Sequence, residues 1–83
     1  MEFPELWRRV EELEGEVFQV ERGEEFSYRF RRTYVVVNAG NLSIPRTNFE
    51  KVFRRQAAQE PAAAPAVQGQ RYISAILSDV RLG

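Results

Sequence analysis

Residues 25–31 read Glu-Phe-Ser-Tyr-Arg-Phe-Arg, EFSYRFR, and from Phe26 onward aromatic and polar side chains alternate strictly. A period of two belongs to a β-strand, whose successive side chains leave opposite faces. Phe26, Tyr28 and Phe30 therefore point one way, and Ser27, Arg29 and Arg31 the other. The aromatic face has to be covered by other parts of the chain, while the polar face can stay in water. The fold then depends on what the neighbouring segments can lay over those rings.

Upstream, EVFQVE (16–21) predicts a strand with Phe18 and Val20 on one face, and Gly23 marks the turn that follows it. Downstream, TYVVVNA (33–39) is rich in β-branched residues and predicts a third strand, with Arg31 and Arg32 near a tight turn. AGNLSIP (39–45) reads as a loop. Helical patterns lie on either side. Phe3, Leu6, Trp7, Val10 and Leu13 recur at helical spacing and predict an amphipathic helix over 4–14, with Pro4 in its first turn and Gly15 as its stop.

Thr47-Asn48-Phe49-Glu50 has the form of a capping box, in which Thr and Glu each satisfy an unpaired backbone N–H. A second helix is expected from there. Phe49, Val52 and Phe53 would face inward, and Asn48, Lys51, Arg54 and Arg55 outward. AQEPAAAPAVQG (58–69) carries Pro61 and Pro65, which prevent a continuous helix and predict an exposed tether. Tyr72, Ile73, Ile76, Leu77 and Val80 predict a last helix over roughly 71–81. The expected architecture is a single α+β domain over 1–83: helix, three-stranded antiparallel meander, helix, Ala/Pro tether, helix, with the helices on one face of the sheet.

A chain of 83 residues has room for one modest core. It contains no Cys and no His, which excludes disulfides, thiolate zinc sites, Cys nucleophiles and every His-dependent triad. Ser27, Ser43, Ser74 and Ser78 therefore lack a His to activate them, Lys51 is the one lysine and Asp79 the one aspartate. The glutamates gather in a helix and a turn, with no apolar pocket evident to raise a pKa. The five glycines are isolated, so no phosphate-cradling loop is present. Neither an enzyme nor a cofactor or metal is expected. No apolar run is long enough to span a membrane, and the N-terminus lacks the layout of a signal peptide, so a cytoplasmic protein is expected, with no membrane partner.

The formal net charge is zero, but it is a balance of opposed blocks. Residues 1–25 hold nine Glu against Arg8, Arg9 and Arg22, for −6. Residues 26–55 hold Arg29, Arg31, Arg32, Arg46, Lys51, Arg54 and Arg55 against Glu50, for +6. A segregated pattern of this kind either neutralises itself within the fold or presents faces of opposite sign. The first outcome leaves ordinary solvated faces. The second makes Arg29, Arg31, Arg46, Asn48, Lys51, Arg54 and Arg55 the candidate residues for contact with DNA or another nucleic acid. The alternative partner is a protein, or a second copy of this chain docked acidic face to basic face. Trp7 and Tyr72 lie on apolar stripes and are expected in the core. Tyr34 becomes a ligand contact if it shares the open face with Arg29 or Arg31.

The segments LEGEVFQV, FSYRF, IPRTNFEKVF and GQRYISAIL together resemble a small bacterial domain, including the N-terminal head module of McrA-like modification-dependent restriction endonucleases. The matching residues are Gly15, Phe18, Phe26, Tyr28, Ile44, Arg46, Glu50, Tyr72, Ala75, Ile76 and Leu77, across about residues 13–80. Arg71 stands where that pattern has Ser. The resemblance implies an accessory, DNA-associated module, and no catalytic residue carries over.

Overall fold

The computed structural model describes residues 2–58 and 66–82. Helix α1 spans Phe3–Glu12, and strands β1 (Phe18–Gln19) and β2 (Glu25–Phe26) follow it. Strands β3 (Tyr28–Arg31) and β4 (Tyr34–Val37) precede a short 3-10 turn at Ala39–Asn41. Strand β5 (Leu42–Pro45) leads straight into α2 (Arg46–Ala57), and α3 covers Gln70–Leu77. This is a small α+β domain with two antiparallel sheets, one pairing β1 with β2 and the other ordered β3-β4-β5.

The three-stranded meander is thus present, but it begins one strand later than the alternation suggests. The expected strand over 25–31 is divided at Ser27. The Ser27 N–H donates to Asn38 Oδ1 at 3.0 Å and the Ser27 carbonyl accepts the Asn38 N–H at 3.0 Å. Asn38, just past β4, thereby holds the point where the chain passes from one sheet to the other. The expected strand over 16–21 contracts to Phe18–Gln19. The expected loop over 39–45 contributes β5 instead, because Leu42 and Ile44 alternate with Ser43 and Pro45 and supply the third row of the sheet. Pro45 is tolerated there because β5 lies at the sheet's border, where a missing N–H breaks no ladder.

The other border, along β3, is met by the turn after α1. The Gly15 N–H donates to the Tyr28 carbonyl at 3.0 Å, and the Glu14 carboxylate accepts the Phe30 N–H at 2.7 Å. These two residues take the place of a fourth strand and satisfy backbone groups that would otherwise have no protein partner.

The capping box does not form. Pro45, extended at φ −65°, is the N-cap of α2 and no side chain caps that end. The Arg46 N–H is already bonded to the Thr33 carbonyl at 2.9 Å, so the helix starts directly off β5 and Thr47 falls inside its first turn. Helix α3 stops at Leu77, short of the expected 81. Asp79 accepts both the Arg81 backbone N–H (2.9 Å) and its guanidinium (2.8 Å), which folds residues 78–82 into a turn. Val80, expected on the inward stripe, is 90 % exposed, whereas Leu82 is buried.

Of the tether expected over 58–69, residues 59–65 lie outside the described residues. Its end is docked: Val67 packs against the core, and the Gln68 carbonyl accepts the Asn48 side-chain amide at 3.2 Å. Gly69 opens α3 at φ 78°, and a Cβ there would meet Ile44 Cδ1 at 2.6 Å. Both the left-handed backbone and the close approach to β5 require glycine.

The core joins two aromatic groups. Trp7 lies 5.0 Å from Phe30 and 5.2 Å from Phe49, ring centre to ring centre, which ties α1 to β3 and α2. Phe18 lies 5.6 Å from Tyr28, and Phe26 lies 5.0 Å from Tyr72, which ties the small sheet to α3. Such pairs contribute about 0.5–1.5 kcal/mol each beyond their burial. Trp7 and Tyr72 are buried, as their positions on the apolar stripes predict. Their polar atoms are satisfied at the margins, with Trp7 Nε1 donating to the Arg32 carbonyl at 2.8 Å and the Tyr72 hydroxyl accepting from Arg71 at 2.8 Å. Phe18, Phe26, Tyr28, Ile44, Tyr72 and Ile76, six of the residues that carry the family resemblance, belong to this core.

Candidate nucleic-acid interface

The register of the β3-β4-β5 sheet decides which side chains share a face. Phe30, Val35 and Ile44 are directly opposed, as are Tyr28, Val37 and Leu42. These rows point inward, onto the helices. The alternate rows are Arg31–Tyr34–Pro45 and Arg29–Val36–Ser43, and they make up the outer face. Nothing among the described elements packs over that face. Arg29 and Arg31 are exposed, and Tyr34 is 39 % exposed. The condition set for Tyr34 is met, since it stands directly across from Arg31.

Among the described residues, no ion pair neutralises the charge of this face. The described ion pairs are Arg54–Glu50, Arg71–Glu24, Arg81–Glu16 and Arg81–Asp79, and none involves Arg29 or Arg31. Glu14 is the carboxylate bonded to β3, and it engages the Phe30 backbone N–H.

The five candidates on α2 are differently placed. The Arg46 guanidinium lies 5.0 Å from the centre of the Phe3 ring, a cation–π contact at the margin of the core. Asn48 is held by the Gln68 carbonyl. Arg54 pairs with Glu50 one turn back at 2.7 Å, and this hydrogen bond holds the Glu50 carboxyl below the usual carboxylate range. Arg55 is half-buried and engaged within the fold. Lys51 is exposed and, alone of the five, has a side chain that makes no hydrogen bond, ion pair or ring contact among the described residues. Helix α2 packs Phe49 and Val52 into the core on the inner side of the sheet. Its outward residues therefore project away from the face that carries Arg29 and Arg31. The seven candidates divide into two surfaces; among the described residues both cations of the sheet face lack an ion-pair partner, whereas on the helical side Lys51 alone lacks a partner of any kind.

Ser43 and Val36 belong to the open face as well, and sequence reasoning did not place them there. The signal for Ser43 was the alternation of Leu42 and Ile44, masked by the Gly and Pro that flank it.

Away from that face, a concavity of about 790 Å³ runs between α3 and β1, with Gln19, Glu21, Glu25, Arg71 and Ser74 along it. Arg71 is committed to the Tyr72 ring, at 4.8 Å, and hydroxyl, and that hydrogen bond reinforces its protonation. Asp79 at its end is held below the usual carboxylate range by Arg81. Among the described residues, no group of three His, Cys, Asp or Glu side chains is arranged to hold a metal ion. No described helix is long and apolar enough to cross a membrane. No protein-family model, no curated protein and no solved structure matches the chain.

Proposed function

We propose that this chain is a non-catalytic module that binds nucleic acid through the open face of its three-stranded sheet. The observation that carries the reading is the pair Arg29 and Arg31, which project from the open face beside Tyr34 with no carboxylate matched to them among the described residues. Guanidinium groups suit phosphate oxygens because their planar fork can make two hydrogen bonds at once. Lys51 is an additional cation on the helical side. The resemblance to a DNA-associated head module supports the same reading.

An electrophoretic mobility shift with single-stranded and duplex DNA tests it. A complex should form at low salt and weaken at moderate salt, because binding releases condensed counterions. Replacing Arg29 and Arg31 together by Ser should abolish the shift, and replacing Lys51 by Ser should leave most of it. No complex at low salt overturns the reading.

The rival reading, an acidic face docked on the basic face of a second copy, draws on Glu11 and Glu12, which are exposed and make no ion pair among the described residues. Sedimentation separates the two: a dimer at low salt that dissociates as salt is raised favours self-association, and a monomer throughout excludes it.

A further inference from the structure

We infer that the ligand of the open sheet face is single-stranded nucleic acid, with a base stacked on Tyr34 and the backbone running past Arg29 and Arg31. The inference rests on the nucleic-acid reading above and narrows it.

The composition of the face points that way. Its six positions are two arginines, one aromatic ring, Val36, Ser43 and Pro45. The arginines occupy a single strand, β3, and so line one margin. Tyr34 and Val36 lie on the central strand, and Pro45 borders Tyr34 on the far side. An apolar shelf with a ring on it therefore lies beside a cationic margin. Phosphates need the margin, and the exposed faces of bases need the shelf. A duplex offers phosphates but keeps its base faces stacked inside, so it would leave Tyr34, Val36 and Pro45 without partners. A single strand supplies both.

Shape adds a second reason. Three strands of four residues make a platform about 10 Å across and about 13 Å long, enough for one or two bases. Its face is a sheet surface with no described element standing on it, whereas readout of a duplex major groove uses a helix or a two-stranded ribbon that enters it. Helix α2 is the basic helix of this chain, and Arg46, Asn48 and Arg54 are held by Phe3, the Gln68 carbonyl and Glu50.

The test is fluorescence anisotropy with labelled single strands of about ten nucleotides, within the range of site sizes known for small binding folds. Oligothymidylate and oligouridylate are run in parallel with a blunt duplex of the same length. At least one single strand should bind about tenfold or more tightly than the duplex. Tyr34→Ala should weaken single-strand binding about fivefold or more, as loss of one base–aromatic stack does. Tyr34→Phe, which keeps the ring, should bind like the original chain, and circular dichroism of both variants checks that the fold is intact. Duplex binding as tight as single-strand binding, or an unaffected Tyr34→Ala variant, overturns the single-strand inference and leaves the nucleic-acid reading standing. Failure of every oligonucleotide to bind removes the nucleic-acid reading itself.

Discussion

The two faces of the β3-β4-β5 sheet are made of alternate residues on the same strands, yet their surroundings are opposite. Phe30, Val35 and Ile44 make one inward row; Arg31, Tyr34 and Pro45 make one outward row. Val35 and Ile44 are fully buried. Arg31 and Tyr34, one pleat away, meet solvent. On the proposed reading, stability and recognition fall on interleaved positions, and mutations can separate them.

The largest expected effect is on the inner face. Ile44→Ala should destabilise the domain by about 2–5 kcal/mol, since it empties space against Gly69 and the core. Urea unfolding measures this, and a cost below about 1 kcal/mol would show that the inner row is not closely packed.

Tyr28→Phe comes next. The Tyr28 hydroxyl is buried and donates to the Val10 carbonyl at 2.5 Å, tying β3 to α1. Its loss leaves that carbonyl without its partner and should cost about 1–2 kcal/mol. Burial also raises the Tyr28 pKa above its ordinary value of about 10. The folded chain keeps a proton that the unfolded chain gives up, so the contribution of Tyr28 is complete below about pH 10 and declines as pH rises further. Unfolding followed across the alkaline range should show this slope in the original chain and a flatter one in the Phe variant. Equal slopes would remove the assignment to Tyr28.

The smallest effect on stability belongs to the outer face. Arg29→Ser with Arg31→Ser should change unfolding by less than about 0.5 kcal/mol, as exposed substitutions without partners do. The same variant should be the one that loses nucleic-acid binding. A large loss of stability instead would mean that the arginines support the fold, and the separation of the two faces would fail.

Periodicity made much of this legible. The apolar stripe of α1, the inward Phe49 and Val52 of α2, and the placement of Arg29 and Arg31 opposite Tyr28 and Phe30 all follow from residue spacing. What spacing could not show is what distant backbone groups would do. The division at Ser27 depends on Asn38, and the start of α2 depends on the Thr33 carbonyl. Charge counting failed in a related way. It found a +6 block, but Arg54 is paired locally with Glu50 and Arg46 sits over Phe3. The acidic first helix, the more obvious counterweight, makes no described ion pair with that block.

Arg81 bears on the order in which the molecule assembles. Its guanidinium donates to the Val17 carbonyl at 2.8 Å, across 64 residues of sequence, and lies 4.4 Å from the centre of the Phe18 ring. The entropy lost in closing a loop grows with the logarithm of its length, so the β3–β4 hairpin closes early and this clasp late. A contact made after the rate-limiting step acts on escape from the native state and leaves arrival almost unchanged. Arg81 is therefore expected to act as a latch on the lifetime of the folded chain, fastening β1 once the remaining elements have met.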